Sequence, residues 1–360
     1  MRTKVSSCRY ESFSRRQAIA TLACLILFTA WCLTAVPNTK VAYRASSEND
    51  SDYAIYQSVV KRMHDKGDGY YDALGGELRS RGRPTRSVFN WRTPLHLSLV
   101  AFLPSVVWAR VLLSGGVLLA LALGFVITLR EGSELAGVIQ ALLMFGVFVP
   151  CFAAMGVLFS ELWAAVLILI SIGAYAFGKR PVAVTAGMLA LFFRELALPY
   201  VLVCAVLSWR DRRRAECLVW VAGFGAYAAY FAVHARIVTS LVTSGDVANA
   251  ATWVQLGGAR FLLVTASVGM FMILPLWITA FYLPAALLGL GGWTGAVARR
   301  VGLTVAAYVA AYSVFGTRTN FYWGAVYAPL LAFGAVRAGA ALLRLVPVAM
   351  GRRQKSVAQD

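Results

Sequence analysis

The sequence predicts an all-α polytopic membrane protein: about eight full transmembrane helices, a broken, re-entrant helix pair, and interfacial helices on the outer side. Three observations predict it. Of 360 residues, 59% are hydrophobic, which is more apolar surface than a soluble domain of this length buries. Charge-free runs recur at residues 18–36, 111–129, 135–160, 162–178, 217–235 and 301–317, each long enough to cross a hydrocarbon core as a helix. The Lys and Arg residues, which give a formal net charge of +18, fall in short clusters between those runs.

The clusters lie at residues 2–16, 179–180, 210–214, 299–300 and 352–355. This is the positive-inside pattern of cytoplasmic loops facing anionic lipid, and no nucleic acid is needed to explain the charge. The expected location is the inner (plasma) membrane with both termini cytoplasmic. Residues 1–16 and 351–360 are then cytoplasmic tails, and 17–350 are one transmembrane domain that includes an outer loop, 37–104. An Arg-rich start before a single apolar run also fits a removable signal peptide. The run is long and its exit poor in small residues, so it is read as a retained first helix.

Neighbouring cytoplasmic clusters must be separated by an even number of crossings. Residues 18–36 run outward, 105–129 inward, 135–155 outward and 162–177 inward; 217–235 run outward, 261–288 inward, 301–315 outward and 322–346 inward. Residues 181–209 are too short for two spans and wrong in parity for one. They are expected to form two short helices that turn near the outer face at Arg194, Glu195 and Pro199, a shape tolerated only inside protein or beside a water-filled cavity. Residues 93–104, bracketed by Pro94 and Pro104, read as an interfacial helix under the outer headgroups.

The outer loop holds ten basic and seven acidic residues between 37 and 92. Asn49-Asp50-Ser51 is a helix-start cluster, and Tyr53, Tyr56, Val59, Val60 and Met63 follow at helical spacing, which predicts an amphipathic helix ending at Gly67-Asp68-Gly69. A second short helix is expected near 70–78, then a solvated basic run, 79–86. Asp52 falls in the first turn with Tyr56 on the same face. Two readings stand: Asp50 and Asp52 suit the helix start and its dipole, or Asp52 is a general base at the bilayer surface.

The order of short motifs adds a resemblance. Asp52-Tyr53 and Tyr56 are followed by Tyr70-Tyr71-Asp72, then by Phe89-Asn90-Trp91-Arg92-Thr93-Pro94-Leu95. Later come Phe159-Ser160-Glu161-Leu162-Trp163, Phe193-Arg194-Glu195, and Arg318 with Tyr322 before the last helix. This succession resembles the GT-C superfamily of membrane glycosyltransferases over most of the chain, particularly bacterial mannosyl- and arabinosyl-type members that use polyprenyl-phosphate sugars. Relatives typically carry Tyr-Pro-Pro where this chain has Trp91-Arg92-Thr93-Pro94. Many carry Arg-Pro-Glu where it has Arg194-Glu195 with Pro199 four residues on.

The resemblance implies a GT-C-like bundle in which Asp52 is the catalytic base. It also implies a polyprenyl-phosphate sugar as donor, a glycan or glycolipid hydroxyl as acceptor, and inversion at the anomeric carbon. A carboxylate can take the acceptor's proton as it attacks. The leaving phosphate needs cations rather than protonation, and on the topology above Arg92, Arg194 and Arg318 lie at the outer face. Tyr56, Glu161, Glu195, Tyr322 and Asp50 are the candidates for holding substrate. Rival readings make Glu161 an exposed turn carboxylate and Arg194-Glu195 a structural ion pair, although ionisable residues at membrane depth usually face a functional cavity.

No cofactor is expected. Glu48, Asp50, Asp68 and Asp72 are numerous enough to bind a divalent cation, but a polyprenyl monophosphate donor does not demand one. The six cysteines show no disulfide or zinc spacing, and His64, His96 and His234 show no ligand spacing. The paired glycines at 75–76, 115–116, 257–258 and 291–292 read as turns or close helix packing. The alternative function is a secondary transporter or lipid-linked-sugar flippase, motivated by the broken helices and their charge pair. A glycan-assembly scaffold that binds without turnover is a third.

Overall fold

A computed structural model describes residues 8–37, 51–131, 133–248, 256–316 and 318–352, with backbone only at 318 and 319. The described residues form helices joined by turns and short loops, with no strand. In order the α-helices are α1 Arg15–Ala35, α2 Asp52–Lys66, α3 Tyr70–Ser80, α4 Leu95–Phe102, α5 Val106–Leu129, α6 Glu134–Phe148 and the single turn α7 Ala154–Val157. They continue with α8 Ser160–Ala176, α9 Arg180–Phe193, α10 Leu198–Arg210, α11 Arg214–Leu241, α12 Gly258–Ala266, α13 Leu276–Gly292, α14 Ala296–Val314 and α15 Ala328–Ala349.

Among the described residues, five helices are long and apolar enough to cross a membrane: α1, α5, α6 with its 3-10 extension to Phe152, α11 and α15. α8 and α13, at 17 residues each, and α9, at 14, are apolar but shorter. The lipid-facing sides are plain in the exposure pattern: Ile26, Leu27, Leu118, Leu142, Leu218 and Leu343 are all exposed, an arrangement water would not tolerate on this scale.

Local chemistry sets the ends. Ser14 and Gln17 form a capping box at the start of α1: Ser14 Oγ accepts from the Gln17 amide at 3.3 Å, and Gln17 Oε1 accepts from the Ser14 amide at 2.8 Å. α13 and α15 cross at backbone contact. A Cβ on Gly289 would sit 1.9 Å from the Gly334 carbonyl oxygen, and one on Gly334 would sit 2.0 Å from that of Ala286, so only hydrogen fits there.

One end of the bundle gathers arginines against acids and rings. Arg299 Nη2 donates to both oxygens of Asp211 at 3.1 Å, and the Arg300 guanidinium lies 3.4 Å from the Tyr175 ring centroid. Glu216 accepts from Tyr175 at 2.6 Å and from Ser208 at 2.8 Å. Tyr10 donates to the Leu288 carbonyl at 2.9 Å, and Glu11 pairs with Arg344, so the start of the chain meets this end too.

Three expectations are corrected. Residues 261–288 are not one helix: α12 stops at Ala266, a 3-10 turn covers Gly269–Ile273, and α13 begins after Pro275. Gly269 has φ +82°, and a Cβ there would meet the Gly146 carbonyl at 2.6 Å, so close packing against α6 breaks the helix. The outward helix expected over 135–155 ends at Phe148, because Pro150 cannot continue it. The last helix starts at Ala328 rather than 322, after a 3-10 segment, Arg318–Val326, with a kink at Asn320.

Candidate functional site

At the other end of the bundle, several separate segments meet. α2 begins where Ser51 Oγ accepts from the Ala54 amide at 3.2 Å, so Ser51 is the cap and Asp52 is left free of that duty. Ile55, Val59 and Val60 are buried against the core, and Asp52 and Tyr56 lie on that same face of the helix, so its burial turns them toward the bundle. Gly67, at φ +69°, ends the helix.

Arg92 arrives on an extended stretch between a 3-10 turn, Val88–Asn90, and Pro94. Its backbone is held on both sides. Tyr70 donates to the Arg92 carbonyl at 2.6 Å, and the neighbouring Trp91 donates through Nε1 to the Thr85 carbonyl at 2.9 Å. The guanidinium then reaches inward, where Nε donates to the Tyr56 hydroxyl at 2.9 Å and Nη2 to the Tyr322 hydroxyl at 3.1 Å. Tyr322 passes its own proton toward Asp52 Oδ2 at 3.4 Å. Asp52 is thus joined to Arg92 through one phenol.

A second arginine lies behind the first. α9 ends at Phe193, Arg194 is extended at φ −154°, and a short 3-10 turn, Glu195–Ala197, leads into α10. Arg194 Nε lies 2.8 Å from Glu161 Oε1, its Nη1 contacts Glu195 Oε1, and its Nη2 is buried with no hydrogen-bond partner among the described residues. Arg92 stands 3.7 Å from the same Glu161 oxygen and 3.9 Å from the same Glu195 oxygen. Glu161 sits in the first turn of α8, where the helix dipole favours a carboxylate. Phe159 closes the wall, with its ring 6.4 Å from that of Tyr56 and 5.8 Å from that of Tyr322.

Burial grades the site. The side chains of Arg194 and Glu161 are each 2% exposed, Arg92 19%, Asp52 38% and Glu195 40%. Burial works against charge on Arg92, but Tyr56, Tyr322, Glu161 and Glu195 around it prevail and hold it firmly as a cation. Burial, partly offset by Arg92, raises the phenols of Tyr56 and Tyr322, so both stay protonated donors.

The structure therefore brings together Asp52, Tyr56, Arg92, Glu161, Arg194, Glu195 and Tyr322. Arg318 begins the 3-10 segment that carries Tyr322, and its side chain lies outside the described residues, as does Asp50. The exposed-turn reading of Glu161 is corrected, because α8 and the two arginines enclose it. The run 79–86 is corrected as well, since it is not simply solvated. Arg79 grips Asp246 through Nε at 2.8 Å and Nη2 at 3.1 Å, Thr85 donates to Asp246 at 2.7 Å, and Arg83 lies 3.9 Å from Asp52. Sequence reasoning missed Arg83 and Asp246; a pair 167 residues apart, such as Arg79 and Asp246, leaves no local signal.

His96 lies under the site in α4, 3% exposed. Its Nε2 donates to the Val157 carbonyl at 2.9 Å, and burial lowers its pKa to about 4, so it is a neutral structural donor. Among the described residues, no three His, Cys, Asp or Glu side chains are grouped to share a metal ion.

Chemically, the site offers a half-exposed carboxylate at its rim and two cations deeper in, connected by phenols. One side can accept a proton while the other holds an anion. Comparison of the chain with protein-family models, curated proteins and solved structures finds no match.

Proposed function

We propose that this chain is a membrane glycosyltransferase that moves a sugar from a polyprenyl-phosphate donor to an acceptor hydroxyl on the non-cytoplasmic face of the inner membrane. The observation that carries the reading is the link from Asp52 through Tyr322 to Arg92, with Arg194 behind it. A proton acceptor and a cationic site are both needed for this transfer, and here one hydrogen-bonded chain connects Asp52 to Arg92.

In this reading Asp52 takes the proton of the acceptor hydroxyl as that oxygen attacks the anomeric carbon, which inverts. The bond from that carbon to the phosphate oxygen breaks with its electrons. Arg92, Arg194 and Arg318 stabilise the polyprenyl phosphate that leaves. Tyr56, Glu161, Glu195, Tyr322 and Asp50 orient the substrates. About eight helices span the bilayer, α9 and α10 are the re-entrant pair, and both termini are cytoplasmic. The lipid tail approaches sideways from the membrane.

The test is incubation of purified protein with a panel of labelled polyprenyl-phosphate sugars, beside an Asp52→Asn variant of equal thermal stability. Product of higher mass is expected from the native chain, with transfer lower by on the order of 10² or more in the variant. Full activity in Asp52→Asn would refute the mechanism. Substrate movement across the membrane without a heavier product would point to transport instead.

A further inference from the structure

The two arginines are held from two sides by carboxylates of different standing. Glu161 Oε1 meets Arg194 Nε at 2.8 Å and Arg92 Nη2 at 3.7 Å, and its side chain is only 2% exposed. Glu195 Oε1 meets Nη1 of Arg194 and lies 3.9 Å from Nη1 of Arg92, and its side chain is 40% exposed. A single oxygen of Glu195 is thus shared between two guanidinium groups, one oxyanion between two forks. The inner carboxylate is almost wholly shielded, while the outer one already meets solvent over part of its surface.

We infer that Glu195 is an internal competitor for the donor's phosphate: its carboxylate and a phosphate oxygen take the same place between Arg92 and Arg194, so each phosphate must displace it outward. This rests on the transferase reading of the site and deepens it.

Charge balance supports the competition. Among the described side chains of the site, Asp52, Glu161 and Glu195 face Arg83, Arg92 and Arg194, three charges of each sign. A phosphate oxygen entering between Arg92 and Arg194 would stand beside the Glu195 carboxylate, and two anions sharing one poorly hydrated place are costly unless one withdraws. Displacement frees Arg194 Nη1 beside the already unpartnered Nη2, giving two adjacent donors for two phosphate oxygens.

The competitor also fits the direction of the reaction. The donor is a phosphodiester with one charge, whereas the released polyprenyl phosphate is a monoester with up to two. Cations placed to stabilise the leaving phosphate would retain it. A returning carboxylate offsets that hold and speeds release.

The experiment is calorimetric titration of the full-length protein in detergent with farnesyl phosphate, for the native chain and Glu195→Gln, with thermal unfolding as the fold control. Glu195→Gln keeps the shape but removes the charge, and binding is expected to tighten about tenfold while steady-state turnover falls at the release step. Unchanged or weaker binding by a folded Glu195→Gln would overturn the competition. If that variant does not fold, Glu195→Asp, too short to span both arginines, must tighten binding in the same direction, and no tightening would again overturn it. Transfer by the native chain without tighter binding in the variant defeats the competitor alone. Tighter binding without transfer of any sugar supports the competitor and defeats the transferase reading.

Discussion

One hydroxyl sets the logic of the site. Tyr322 accepts from Arg92 and donates to Asp52, so the proton acceptor and the cation are neither fused into an ion pair nor independent. A direct pair would quench both; a phenol between them holds Asp52 in place and leaves its second oxygen within 3.9 Å of Arg83 at the rim. Beneath them, His96 shows what burial does to a titratable group. Its pKa drops from 6.5 to about 4 because the cation cannot be solvated there. The folded protein therefore binds fewer protons than the unfolded chain between those values, and stability present above pH 6.5 is lost as pH falls toward 4. At pH 5 the loss should be about 2 kcal/mol. Thermal unfolding in detergent at pH 7 and pH 5 checks this: the native chain should lose more stability than His96→Gln, which can still donate to Val157 but does not titrate. Equal losses would show that His96 is not the group responsible.

At the level of elements, what the sequence discloses divides by distance along the chain. α2 could be read from its apolar stripe, its Ser51 start and its Gly67 end, because caps and periodicity are local. The break at Arg194 was legible from a charge pair inside an apolar stretch and a following proline. The break between α12 and α13 was not, since it depends on Gly269 meeting Gly146 on another helix. The strap around Asp246 was hidden for the same reason. Arg79, Thr85 and Thr243 all donate to that carboxylate, while Val247 accepts from the amides of Thr85 and Arg86 at 3.1 and 3.2 Å. The Arg79 bond, then the Thr243 amide and Thr85, hold the Asp246 acid well below the usual carboxylate range, so the strap is intact at neutral pH and loosens only in strong acid. Asp246→Asn should open it at neutral pH, raising the hydrogen-exchange rate across 79–86 about tenfold or more. No change in exchange there would show that the strap does not restrain residues 79–86.

Across the whole molecule, ion-paired clusters stand at both ends. Arg299, Arg300 and Arg344 gather at one end with Asp211, Glu216 and Glu11, and the Asp52, Arg92 and Arg194 site lies at the other. The basic clusters of the sequence predict which of the two ends faces the cytoplasm, through the positive-inside bias. The sequence did not convey the path of every helix, since α8 and α13, at 17 residues, stand at the lower limit of a bilayer crossing and α9, at 14, falls below it. Sidedness follows as a prediction. In a cysteine-free background, a cysteine at Val247 should react with a membrane-impermeant maleimide in intact cells, and one at Arg212 should react only after permeabilisation. The reverse pattern would invert the proposed orientation.

The most direct test of the account separates binding from chemistry in one preparation. Donor affinity and single-turnover transfer would be measured for the native chain, Asp52→Asn and Arg194→Gln. The account predicts that Asp52→Asn binds a polyprenyl-phosphate sugar within about twofold of the native chain yet transfers on the order of 10² more slowly, while Arg194→Gln loses affinity as well. Transfer by Asp52→Asn at the native rate, or undiminished donor binding by Arg194→Gln, would contradict it.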